Sequence, residues 1–158
     1  MVKDEEMLHG AAVLRLIESD HMTDTTFQFS KGIHVSAYRV TRAATRAGIL
    51  LKVSTTRKSP WPFVFTRWEL DAINRYRELY SLEPFFIGLI CHRDGVCCAP
   101  LEALLDLLER DETLEGKRIA VRRPPGGSYW LSGPHRVKSE RCIPMNAWPH
   151  GIFKRNAE

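Results

Sequence analysis

Hydrophobic positions along the chain fall into two periods. From Asp4 to Ser19, residues Met7, Leu8, Ala11, Ala12 and Leu16 recur at the i, i+3, i+4 spacing of an amphipathic helix, with acidic residues in the first turn where the helix dipole favours them. From Thr26 to Arg39 the period becomes two: Phe27, Phe29, Ile33, Val35 and Ala37 fall on odd positions, interrupted at Lys31-Gly32, as in a hairpin or one strand bent at the glycine. Gly48 to Ser54 is an almost continuous apolar run, the pattern of a strand buried on both faces, and Lys52 is its only charge. Two prolines in Ser59-Pro60-Trp61-Pro62 remove ladder donors and predict an extended surface loop.

Thr66 and Glu69 have the spacing of a capping box, and Leu70, Ile73, Tyr76 and Tyr80 carry the helix that it opens. Phe85 to Cys91 reads as a second buried strand, turned by Asp94-Gly95 into Val96 to Ala99. Leu101 to Glu109 reads as a leucine-rich helix, and Arg118 to Arg122 and Tyr129 to Leu131 as strands joined through Pro124-Pro125-Gly126-Gly127. The order predicts an α/β fold: one domain over 1–158, with a mixed central sheet flanked by helices and the helix from 66 to 80 crossing between parallel strands. From about residue 116 the expectation is a Pro- and Gly-rich β extension.

With 158 residues and 44% hydrophobic content the chain can bury a substantial core. No apolar run approaches the roughly 18 residues of a membrane span, and the first residues lack the pattern of a secretory signal, so a cytoplasmic protein without membrane contact is expected. Cysteines 91, 97, 98 and 142 suit reduced thiols better than a disulfide framework. Cys91-His92 and Cys97-Cys98 offer zinc-ligand chemistry, but adjacent strand residues face opposite ways, and core or edge cysteines are expected, with no metal site.

The net charge of +4 hides a partition. Residues 25–68 hold eight cations and no carboxylate, whereas 69–115 hold four cations and eleven carboxylates. Lys31, Arg39, Arg42, Arg46, Arg57, Lys58 and Arg67 are candidate phosphate contacts, with Trp61 as a stacking residue among them. Neutralising about six phosphates predicts a log-log salt slope of roughly −5 on duplex DNA.

The strand ending in Lys52-Val53-Ser54-Thr55-Thr56, the basic Ser59-Pro60-Trp61 loop, the capped helix and the strand Phe85 to Cys91, with a first helix ahead of the sheet, resemble the core of the PD-(D/E)xK nuclease superfamily, nearest to the archaeal Holliday junction resolvase type. The resemblance covers about residues 4 to 99 and implies a restriction-endonuclease-like fold. It further implies a lysine that positions water beside Mg2+ held by carboxylates, because Mg2+ takes oxygen ligands. Lys52 matches the family lysine, which puts Leu50 at the acidic position, and no upstream Asp exists in 25–68. Glu69 on the following helix and Glu18 on the first are the remaining candidate carboxylates. The expectation is therefore a nuclease-like, nucleic-acid-binding module without catalysis, acting in DNA processing or defence. Mg2+ is required only if Lys52, Glu18 and Glu69 form an active centre. The alternative is a protein-interaction subunit of a larger complex that offers its acidic block, including Asp106 and Glu109, to a basic partner.

Overall fold

The computed structural model describes residues 1–18, 26–29, 37–42, 44–135 and 137–153, with the backbone alone at 26–29. Among them the elements run α1 (Asp4–Glu18), β1 (Thr26–Phe29), β2 (Ala37–Arg42), β3 (Thr45–Ser54), β4 (Trp61–Val64), α2 (Arg67–Leu79), β5 (Phe85–Cys91), β6 (Val96–Pro100), α3 (Leu101–Leu105), β7 (Arg118–Arg122), β8 (Trp130–Ser132) and α4 (Ala147–Phe153). The mixed sheet has the order β1-β2-β3-β5-β6, and β4-β7-β8 form a second, antiparallel sheet. Only β3 and β5 run parallel in the mixed sheet, with Ser54 opposite Cys91, and α2 lies in the connection between them. β1 and β2 pair antiparallel, in keeping with the hairpin alternative; Lys31-Gly32, Ile33 and Val35 lie outside the described residues.

Period two in the central strands divides the core. Leu50 of β3 and Phe85, Ile87, Leu89 and Cys91 of β5 turn toward α2 and the second sheet, where they meet Ile73, Tyr76, Phe63, Val121 and Tyr129. Ile49 and Leu51 of β3 and Ile90 of β5 face the other way and pack with Ala12 and Leu16 of α1 and Trp148 and Ile152 of α4. The same alternation sends Cys97 into the first cluster and Cys98 into the second. Burial raises the pKa of both thiols, that of Cys98 to about 12.

Two sequence expectations change. Trp61-Pro62 is not a surface loop: it opens β4, which lies at the edge of its sheet, where proline costs no ladder bond. The helix from Leu101 shortens to five residues because Leu107 N and Leu108 N donate to carbonyls three residues back, tightening the chain into turns that still bury Leu107. The region from 116 carries β7 and β8 and contributes to both sides of the core. Ile119, Val121, Tyr129, Leu131 and Ile143 belong to the first core cluster, and α4, masked in the sequence by Pro149 and Gly151, covers the opposite face.

Candidate functional site: the Lys52 cleft and the basic edge

Lys52 occupies an even position of β3, so its side chain points to the α2 face. There Glu69 awaits it at the third position of α2, with its backbone N–H donating to Thr66 Oγ1 and its carboxylate accepting from Thr66 N at 2.9 Å. Lys52 Nζ donates to both Glu69 oxygens at 2.6 Å and lies 5.0 Å from the Phe65 ring centroid. Lys52 and Glu69 side chains are only 13% and 6% exposed, so water screens the pair weakly. A lone charge in an apolar strand is thus met by the carboxylate that also caps the following helix.

This pair lines a cleft of ≈ 580 Å³ with Leu51, Val53 and the first two turns of α1, which contribute Glu5, Glu6, His9 and Gly10. Glu6 accepts from Lys3 N at 3.0 Å, and His9 Nε2 shares a hydrogen bond with the Tyr38 hydroxyl. Burial lowers the His9 pKa, favouring its neutral form, and raises that of Tyr38. Glu5, Glu6 and His9 did not stand out in the sequence; the signal was the i, i+4 spacing of Glu5 and His9, which places both on one helix face. Glu18 does not line the cleft. It is exposed at the other end of α1, thirteen residues and about 20 Å along the axis from Glu5.

The donor set does not fit the Mg2+ that the nuclease resemblance implies. Glu69 already accepts from Lys52 and Thr66, Leu50 stands at the acidic position, and the remaining carboxylates, Glu5 and Glu6, come from a single turn of one helix. A cleft mouth carrying two glutamates also repels a phosphodiester.

Among the described residues, the carboxylate-free stretch does not make one basic face. Arg39 is bound by Glu83, with Nε 3.1 Å from Oε2, and its guanidinium stacks 3.8 Å over Tyr80. Burial pushes the Glu83 carboxyl up, but hydrogen bonds from Arg39 and Tyr76 outweigh it and hold the pKa below its ordinary value. Trp61 is 3% exposed, edge-on to Tyr129, with Nε1 buried and unpartnered among the described residues, so it cannot stack on a base. The indole left exposed is Trp68, at 73%, in the first turn of α2. Arg67 lines a different groove, together with Asp71, Glu112 and Glu115. Lys31 lies outside the described residues.

The other cations separate along β3. Arg42 and Arg46 flank the β2–β3 turn, and Arg42 lies 4.9 Å from the Phe153 ring centroid. Arg57 and Lys58 follow the other end of the strand, beyond Ser54, which is eight residues and roughly 26 Å from Arg46.

At that second end, three connections are tied together. Arg123, just after β7, donates from its backbone N–H to Ser59 Oγ at 3.3 Å and from its guanidinium to Asp94, in the β5–β6 turn, at 2.6 and 2.8 Å. Tyr129 adds a hydrogen bond to Asp94 at 2.8 Å. The Arg123 guanidinium holds the Asp94 carboxyl below the usual carboxylate range against partial burial, with help from Tyr129. The Arg123–Ser59 bond brings the end of β7, which carries exposed Arg122, to the loop in which exposed Arg57 and Lys58 precede Ser59, and the nearby Asp94 carboxylate is already paired with Arg123. No family model matches the chain, and no curated protein matches it.

Proposed function

We propose that this protein is a nucleic-acid-binding module that holds phosphates at the edge formed by the carboxyl ends of β3 and β5, and that it does not cut them. The observation that supports this reading is the tie from Arg123 to Ser59 and Asp94, which joins the chain segments that carry Arg57, Lys58 and Arg122 and leaves Asp94 paired. Helix, antiparallel strands, crossover helix and parallel strand keep the order of the nuclease core, which supports a restriction-endonuclease-like ancestry. The closed Lys52–Glu69 pair supports the loss of cleavage.

Fluorescence anisotropy with a labelled oligonucleotide across a salt series tests it. Replacing Arg57, Lys58 and Arg122 with alanine should flatten the log-log slope by about 2 to 3, the range for three phosphate contacts on single-stranded or duplex nucleic acid. Absence of binding, or a slope that the triple variant leaves alone, overturns the binding site. Strand scission in Mg2+ or Mn2+ that disappears in Lys52→Ala overturns the non-cleaving part.

A further inference from the structure

Beside this edge, α1 and the β5–β6 turn enclose a second groove, of ≈ 200 Å³. Its floor is apolar: Ala12, Ile90 and Val96 are buried, and Leu8 flanks them. Its polar side chains are Arg15, His92 and Arg93, with no carboxylate among the described lining. Arg15 and Arg93 are exposed and form no ion pair with a described residue. Asp94, next in the chain, is turned away to Arg123 and Tyr129. His92 adopts φ 50°, in the left-handed region that tight turns use.

We infer that this groove takes one unpaired nucleotide, its phosphate against Arg15 and Arg93 and its base on the apolar floor, so that the protein favours single-stranded over duplex nucleic acid. The inference rests on the binding edge proposed above. An apolar floor has no use for a phosphate alone, and a paired base has both faces stacked within the duplex, so the combination suits an unstacked nucleotide. Ser54 and Cys91 end neighbouring strands, about 4.8 Å apart, so the turn that carries His92 and Arg93 leaves the sheet at the same end as the segment that carries Arg57 and Lys58.

Affinities for a labelled single strand of twenty nucleotides and for its duplex separate the possibilities. The intact protein should favour the single strand by about tenfold, within the range for stacking one base. Arg15→Ala with Arg93→Ala should remove that preference and flatten the single-strand salt slope by about 0.7, the value for one phosphate. Ala11→Phe, an exposed lining position, should fill the groove and remove the preference with the slope unchanged. Replacing Arg57, Lys58 and Arg122 should weaken both forms alike. Equal affinity of the intact protein for the two forms, or a preference that survives both groove variants, overturns the inference while leaving the binding edge standing if the triple variant is still weakened. Failure of the intact protein to bind either form removes both.

Discussion

Lys52 shows how a residue singled out by pattern is explained by geometry. Its two short bonds to Glu69 tie β3 to the first turn of α2, and Glu69 simultaneously closes the capping box. Glu69→Gln keeps a side chain able to cap at that position but leaves Lys52 without a counter-charge, so it isolates the ion pair from the cap. Either Glu69→Gln or Lys52→Met alone should cost about 3 to 5 kcal/mol in urea unfolding, as expected when one partner of a buried pair is removed. The double variant should cost clearly less than the sum of the two, and strict additivity would show that the pair contributes no coupling. At this scale the local pattern was informative about position: an isolated lysine in an apolar run announces that something must meet it, whereas Glu69, seventeen residues on, entered only through the nuclease resemblance, as a candidate metal ligand beside Lys52 rather than as its ion-pair partner.

For the elements, the strands buried on both faces, the capping box and the Asp94-Gly95 hairpin were legible because each depends on neighbours in sequence. β4 and α4 were not. Pro62 and Pro149 are poor formers of regular structure, and they are tolerated here by an edge position and by burial against the sheet, both set by distant residues. The placement of the candidate cations was hidden in the same way. A run of cations in sequence becomes one surface only when the chain folds back, whereas an extended β3 carries its two ends apart and leaves each to join cations from elsewhere. Close approach is also invisible to pattern: at Gly48 of β3, a Cβ would lie 2.5 Å from the Phe85 ring and 2.7 Å from Tyr76. Gly48→Ala should therefore lower stability by about 1 to 3 kcal/mol, measured by thermal or urea unfolding, although alanine suits a strand better than glycine. A variant as stable as the parent would show that both rings move aside freely.

Across the whole molecule, acid should loosen the protein in two stages. His9 has a lowered pKa in the folded state, so the unfolded chain takes up the proton first and stability falls as pH drops below about 6.5. Asp94 and Glu83 also have lowered folded pKa values; the stability they confer is complete above the unfolded value near 4 and is lost as pH falls through the folded one. A melting-temperature series against pH should show both declines. His9→Gln should erase the first, and Asp94→Asn should weaken the second and cost about 1 to 3 kcal/mol at neutral pH by releasing the Arg123 fastening. A flat melting temperature between pH 7 and 5 would remove His9 from the explanation.

β3 is a common wall between two rooms, because alternate residues of the same ten-residue strand serve the core on either side. Neither room can be emptied without stripping the wall of the other. The two sides of the core are therefore coupled through one strand and should melt together, and loss of β3 would take the basic edge at its end with it.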